Sequence, residues 1–252
     1  MVVDNIWTNG LCRSNWNMEN VMKQNKAPKF KYSNALLPVI HVESLEQTEQ
    51  NLKICQNSDV DGVFLISRSR NDRELLQIAK YLKQENPNYW MGINLLGMTT
   101  TEAFWNADFM DAVWVDNAFT SNCEIPEHEA GRMMSFLYNR EKPPMFGGVA
   151  FKYQPKDENL KETCRLAQKF VDVITTSGDA TGQPPTLQKI QELHSYVGDV
   201  PLAIASGIAV DNVEQFLPYV KYFLVSTGIS DTFTEFNQEK VAQLTKRIHH
   251  GN

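Results

Sequence analysis

Two short stretches near the end of the chain, "ASGIAVDN" (205–212) and "VSTGIS" (225–230), place small hydroxyl residues and a glycine directly after the apolar runs "VPLAI" and "KYFL". Bulky side chains would pack better there. A turn built from such residues leaves its amides open to an oxygen, because glycine lacks a Cβ and tolerates positive φ. Converging amides of this kind bind anions. The backbone N–H groups of Gly207, Ile208, Thr227 and Gly228, with the hydroxyls of Ser226 and Thr227 as further donors, are therefore read as one phosphate site. "AVDN" is read as the start of a helix whose N-terminal dipole end favours the same negative charge. The competing reading is that both are ordinary glycine turns at strand–helix junctions.

The loop "TTSGDATGQPP" (175–185) carries more polar chemistry than any other. Gly178 and Gly182 can take positive φ and let the loop wrap a ligand. Asp179 is its single acid, fitted either to proton transfer, to accepting a sugar hydroxyl, or to an Asx turn. Pro184 and Pro185 read as the start of the following helix.

Other polar residues fall at the ends of apolar runs: His41 and Glu43, Asn94, Asp116 and Asn117, and Lys152. Neighbours along a strand point to opposite faces, so Asp116 and Asn117 do not share one, and Asp116 after "VWV" is taken as the inward residue and first candidate for general base. Lys152, in the apolar "VAFKYQP", is read as an anion or ion-pair lysine, with Asp116 its partner, or as a lysine of lowered pKa for Schiff-base or proton-transfer work. His41 reads first as a hydrogen-bonded core histidine. No two histidines have metal-ligand spacing, and nothing selects a carboxylate-bound Mg²⁺ at Asp116, Glu43 or Asp179, so no cofactor is expected. Trp90, Trp105 and Trp114 read as packing residues.

These residues must be positioned by the elements around them. From "LLPVIHVE" (36–43) onward, short apolar runs alternate with amphipathic stretches about eight times. The runs are "DGVFLIS", "YWMGINLLGM", "DAVWVDNAF", "MFGGVAFKYQP", "VDVITTSGDATG", "PLAIASG" and "YFLVSTG". Ser44 fits a helix N-cap, and Leu75, Leu76, Ala79 and Leu82 recur at helical spacing until Pro87. Continuous apolar strands separated by helices require a parallel sheet covered on its outer face. Eight such units make a closed (β/α)₈ TIM barrel. The runner-up, an open doubly wound sheet, more commonly puts a glycine fingerprint after its first strand, and "HVES" has no glycine.

The barrel is placed at 34–252 and residues 1–33, with Trp7 and Trp16, form an N-terminal extension that caps the barrel floor or makes an arm. The stretch 120–144, with Gly131, reads as a lid, an oligomer contact or a plain connecting helix, so a homo-oligomer fits the sequence.

The run from "VDVITTSGDATGQPP" through "LAIASGIAVDN" to "FLVSTGIS" resembles the C-terminal half of the BtpA/SgcQ family, closely over 171–230 and more loosely back to residue 36. The resemblance implies a phosphate-binding (β/α)₈ barrel. It implies ligand contacts from Ser177, Gly178, Thr181 and Gly182 in the sixth loop, Ser206 and Gly207 in the seventh, and Ser226, Thr227 and Gly228 in the eighth. It also permits a role as an assembly factor. This chain departs from the pattern at Ala205, where the family has glycine, at Asp179 inside the loop, and at "HVES".

Composition narrows the partners. A net charge of −6 supplies no basic stripe for duplex nucleic acid. No apolar run approaches the ~20 residues that span a bilayer. Cys12, Cys55, Cys123 and Cys164 are widely spaced and follow no secretory leader, so neither a disulfide frame nor a zinc knuckle is expected, and a reducing cytoplasm is. The expected activity is that of an enzyme acting on a small phosphorylated ligand, a sugar phosphate or phosphoribosyl-type compound, by isomerisation, glycosyl-bond chemistry or aldol-type cleavage. The alternative is a noncatalytic phosphate-ligand-binding barrel.

Overall fold

A computed structural model describes residues 26–67, 69, 71–116 and 142–251. Trp7, Trp16, Cys12, Asn117, Cys123, His128, Gly131 and most of the 120–144 connection lie outside the described residues. Eight parallel strands close on themselves in chain order: β1 Ala35–His41, β2 Val63–Ile66, β3 Met91–Asn94, β4 Ala112–Val115, β5 Met145–Gly148, β6 Val173–Thr176, β7 Leu202–Ile204 and β8 Tyr222–Val225. The fold is a TIM barrel, and β8 pairs with β1, which an open sheet does not permit.

Helices α1 Leu45–Asn57, α2 Asp72–Glu85, α3 Thr100–Asn106, α4 Leu160–Phe170, α5 Leu187–Tyr196 and α6 Gln238–His250 cover the barrel. Their starts are fixed locally. Ser44, Asn71, Thr99, Asn159, Thr186 and Asn237 each accept an amide from the first turn, satisfying a donor that the helix itself leaves open. Thr186 caps α5, so Pro184 and Pro185 precede the helix and do not begin it. In α4, Cys164, Ala167 and Phe170 bury one face at i, i+3 and i+6. Outward strand residues such as Leu36, Leu65, Ile93, Ile174 and Phe223 meet Leu75, Leu82, Leu193 and Leu244 of the helices in one continuous core. Each such burial contributes roughly 1.5–3 kcal/mol.

One expected element is absent. Between β7 and β8 the chain makes only a short 3₁₀ turn, Glu214–Phe216, where a helix over "AVDNVEQFLPYV" was expected. Asn212 explains the difference. Its Oδ1 accepts from the Ala209 amide at 3.0 Å and its Nδ2 donates to the Gly207 carbonyl at 2.9 Å, tying the segment into a compact turn. Pro218, without an N–H, then prevents the ladder from propagating.

Strand tilt sets which side chains share the barrel interior. One circuit through the eight registers, starting at Val39, returns to β1 eight residues earlier. That is the shear of a (β/α)₈ barrel, and it stacks side chains of alternate strands in layers. Phe64, Trp114, Thr175 and Leu224 form one layer. Val39, Asn94, Gly148 and Ala205 lie above it, toward the C-terminal strand ends. Continuing the alternation, Ile66, Asp116, Ser177 and Ser226 follow.

The opposite end, the floor, is closed by carboxylates that each cap the first part of the preceding odd strand. Asp61 Oδ2 accepts from the Leu36 amide at 2.9 Å and meets His249 Nε2 at 2.7 Å. Asp111 Oδ2 accepts from the Met91 amide at 2.7 Å and from Lys83 Nζ at 2.5 Å. Asp172 accepts from the amides of Met145 at 2.9 Å and Lys26 at 3.0 Å. Phe30 lies edge-on to Trp90 and Tyr222 beneath the barrel.

Candidate functional site

The C-terminal ends of β5 to β8 carry the glycine-rich loops, and their glycines are in contact. A Cβ on Gly178 would run into the Gln183 carbonyl, and one on Gly207 would run into the backbone of Gln183 and Pro184. A Cβ on Gly228 would strike the carbonyl of Ile208. Gly207 also holds φ at +63°, a left-handed conformation open to glycine at little cost. The seventh and eighth loops therefore lie side by side, backbone against backbone, with the sixth loop packed on Gly207.

At this junction the amides of Gly207, Ile208, Thr227 and Gly228 have no protein acceptor among the described residues. Gly207, Ser226 and Gly228 are partly exposed and Thr227 is exposed, so the junction opens to solvent. Ser226 Oγ itself is buried and makes no hydrogen bond. The seventh loop contributes no helix dipole, since no α-helix follows Gly207.

Two other loop hydroxyls are engaged inside the protein. Ser177 Oγ accepts from the Lys152 amide at 2.7 Å and donates to the Gly178 carbonyl at 2.9 Å. Ser206 Oγ donates to the Ala180 carbonyl at 3.0 Å. Both brace the loop framework. Asp179, Thr181 and Gly182 are exposed at the tip of the sixth loop, where Gly182, at φ +81°, faces Thr227 Oγ1. Tyr153 reaches the same tip. Its hydroxyl pKa is lowered chiefly by a hydrogen bond from the Thr181 side chain.

Asp116 continues the inward alternation of β4 after Ala112 and Trp114. Asn94 Nδ2 donates to Asp116 Oδ1 at 2.8 Å, which fixes the orientation of the carboxylate. Gln154 Nε2 holds the Asp116 carbonyl at 2.8 Å from the fifth loop. A Cβ on Gly148 would collide with that carbonyl, so the glycine permits the close approach of β5 to the end of β4.

Lys152 departs from its reading as a strand residue paired with Asp116. Strand β5 ends at Gly148, four positions earlier, because Ala150 and Tyr153 take φ of +47° and +66° and turn the chain away. Lys152 Nζ lies over the Phe151 ring, 5.4 Å from its centroid, and no salt bridge joins it to Asp116 among the described residues. Phe151 is what enters the mouth: it is buried and meets Trp114 edge-on at 6.0 Å.

The lysine that matters to this loop is Lys189 on α5. Its Nζ donates to the carbonyls of Ala150 at 2.6 Å and Ser177 at 2.7 Å. Burial depresses its pKa, opposed by the nearby Asp179 carboxylate. It thus pins the strained Ala150 to the sixth loop. Its position beside Ile190 in an ordinary amphipathic helix gives no sign of this in the sequence.

His41 and Glu43 belong to another part of the mouth. His41 ends β1 with its ring 4.4 Å from that of Phe233. Exposed Glu43 borders a cleft of about 420 Å³ with Ser67, Ser69, Asn71 and Glu74, between the first and second loops. Among the described residues no cluster of His, Cys, Asp or Glu could hold a metal ion. Cys55 and Cys164 are buried, and burial pushes the Cys164 thiol up to about 12, which leaves it inert.

Two further buried donors face the barrel interior without an acceptor: Trp114 Nε1 and Thr175 Oγ1. The sequence reading treated Trp114 as packing and did not single out Thr175.

The protein is thus a closed (β/α)₈ barrel whose sixth to eighth loops pack on one another at the C-terminal mouth. No family model matches the chain. No curated protein matches it by sequence. Solved structures do match its fold. The phosphoribosyl anthranilate isomerase of Thermus thermophilus is 14% identical with a TM-score of 0.58, covering 84% of this chain and 97% of that one. A phosphoribosyl anthranilate isomerase in complex with reduced 1-(o-carboxyphenylamino)-1-deoxyribulose 5-phosphate is 13% identical with a TM-score of 0.57, covering 85% and 98%. The KDPG aldolase of Legionella pneumophila, with pyruvate captured as a covalent carbinolamine, is 14% identical with a TM-score of 0.57, covering 86% and 94%. At these identities the likeness is one of fold.

Proposed function

We propose that this barrel is an enzyme that binds a small phosphorylated ligand, a sugar phosphate or phosphoribosyl-type compound, with its phosphate on the amides of Gly207, Ile208, Thr227 and Gly228. The observation that supports the reading is the close approach of Gly228 to the Ile208 carbonyl, which sets the seventh and eighth loops side by side, with no acceptor for these four amides among the described residues. An anion there gains several charge-assisted hydrogen bonds from groups that need no rearrangement. Asp116, oriented by Asn94, serves as general base at the inward end of the ligand. Asp179 and Thr181 border the phosphate end from the sixth loop. Ser177, Gly178, Gly182 and Ser206 shape that loop, and Lys152 is left to attract anions at the rim.

The resemblance of the sixth, seventh and eighth loops to the BtpA/SgcQ family supports the phosphate reading, as does the phosphorylated ligand of an isomerase that shares the fold. Isomerisation and aldol-type cleavage both suit one positioned carboxylate. A noncatalytic binder is the second reading, favoured by the separation of Lys152 from Asp116, which removes one member of the expected acid–base set.

The test is a titration of the ¹⁵N-labelled protein with inorganic phosphate. The amide resonances of Gly207, Ile208, Thr227 and Gly228 are expected to shift together and to saturate. Saturable shifts confined to other loops, or none at all, would refute the site.

A further inference from the structure

Trp114 and Thr175 occupy one layer of the barrel interior, contributed by β4 and β6. Trp114 is 4% exposed and Thr175 0%, and Trp114 Nε1 and Thr175 Oγ1 each lack an acceptor. A buried donor left unmade is costly, so folded proteins rarely keep one without a reason. Here there are two in one layer, and Ser226 Oγ is a third on the wall above. The intervening layer contributes Gly148 and Ala205, the smallest side chains available, between β6 and its neighbours. The phosphate amides of the seventh and eighth loops, Ser226 after β8 and the Trp114–Thr175 layer of β4 and β6 therefore form a descending series of donors.

We infer that Trp114 and Thr175 are ligand-binding residues, which receive the hydroxyl or carbonyl oxygens of a carbon chain that enters ahead of its phosphate. This rests on the phosphate reading above and extends it to the deep end of the same site. The chemistry selects neutral oxygens. An indole N–H only donates, and a threonine hydroxyl donates and accepts, so both suit a polyol or keto chain. None of the inward-facing residues in these layers is lysine or arginine, and the Asp116 carboxylate stands overhead, so a carboxylate on the ligand would find no counter-charge among the described residues. An aromatic ligand would leave both donors unmet. Phe151, buried and edge-on to Trp114 at 6.0 Å, borders the same donors and keeps water from them.

The experiment is calorimetric titration of the full chain with inorganic phosphate, glycerol 3-phosphate and ribose 5-phosphate, for the wild type, Thr175→Val and Trp114→Phe, with a melting curve for each. Ribose 5-phosphate is expected to bind more tightly than inorganic phosphate. Thr175→Val is expected to weaken ribose 5-phosphate about tenfold, the loss of one buried hydrogen bond, and to leave inorganic phosphate unchanged. Its melting temperature should hold or rise, because replacing an unsatisfied buried hydroxyl with a methyl of the same shape removes a penalty. Trp114→Phe should likewise weaken ribose 5-phosphate and spare inorganic phosphate, but with a lower melting temperature, because the smaller ring leaves a cavity against Phe64 and Phe151. A melting temperature lowered by several degrees in Thr175→Val would mean that the hydroxyl serves the fold, and the inference fails. It fails equally if wild-type protein binds the sugar phosphates no better than inorganic phosphate, in which case the phosphate site still stands. If inorganic phosphate does not bind at all, the phosphate reading falls first and takes this one with it.

Discussion

The two ends of the barrel handle polar groups in opposite ways. At the floor every carboxylate named above has its donors: Asp61 has Leu36 and His249, Asp111 has Met91 and Lys83, and Asp172 has Met145 and Lys26. At the mouth, several donors are left over among the described residues. Four amides in the seventh and eighth loops, with Trp114 Nε1, Thr175 Oγ1 and Ser226 Oγ, have nothing to donate to among the described residues. Carboxylates paired in this way contribute stability, although Ser58 Oγ and Tyr89 Oη at the same end are buried without a hydrogen bond among the described residues. A mouth with surplus donors forgoes stability and is complementary to something rich in acceptor oxygens.

The comparison breaks most directly at the floor. Asp61→Ala strands the Leu36 amide and the His249 imidazole, both buried. Each unsatisfied donor costs about 1–3 kcal/mol, so urea unfolding should show a loss of about 3 kcal/mol. Phosphate binding at the other end should be unaffected. A loss below about 1 kcal/mol would show that the floor is not where the stability of the barrel resides.

Asp116→Asn asks the same question of the mouth. Loss of a positioned general base lowers turnover by about 10²-fold or more, equivalent to roughly 2.7 kcal/mol of barrier. Stability should change by less than about 1 kcal/mol, because the amide still accepts from Asn94. Conversion of a panel of sugar phosphates, followed by mass spectrometry, supplies the measurement. Equal conversion by wild type and variant removes Asp116 as the base, and no conversion by either, with phosphate binding intact, assigns the chain to the binding class.

The same contrast explains what the sequence made legible. The barrel is written in eight apolar runs of a length suited to buried parallel strands, and the helix starts are written in residues such as Ser44. The adjacency of the seventh and eighth loops follows from strand order alone, so Gly207 and Gly228 could be paired without coordinates. Three features resisted. The missing helix after β7 depends on the Asn212 side chain competing for local backbone groups, which helix-compatible spacing conceals. Lys152 was misplaced because left-handed φ at Ala150 and Tyr153 is invisible in residues with no special preference for it. Thr175 and Lys189 gain their meaning from what surrounds them: an absent acceptor in one case, two inward-turned carbonyls in the other.

Lys189 is used at the mouth as floor groups are used, to hold backbone in place, through the carbonyls of Ala150 and Ser177. Lys189→Met keeps the aliphatic stem and strands the Ala150 and Ser177 carbonyls, at a cost of about 1–2 kcal/mol. Amide hydrogen exchange should rise locally in residues 149–154 and 177–183 while the floor strands keep their protection. Uniform loosening of the whole barrel would mean that the fifth and sixth loops are part of the global folding unit and not a locally pinned site.

Thr227→Val is the smallest of these changes and the most specific to the phosphate. Thr227 is exposed, its hydroxyl makes no hydrogen bond within the protein among the described residues, and its backbone amide survives the substitution. Stability should stay within about 0.5 kcal/mol, as for surface changes away from caps and networks. The affinity for inorganic phosphate should fall about threefold to tenfold, the value of one side-chain hydrogen bond to a charged acceptor superimposed on four backbone donors that remain. Raising the ionic strength should weaken wild type and variant by the same factor, because the substitution removes a dipole and no charge. If the hydroxyl contributed nothing, the affinity would be unchanged and the phosphate would be held by the backbone alone.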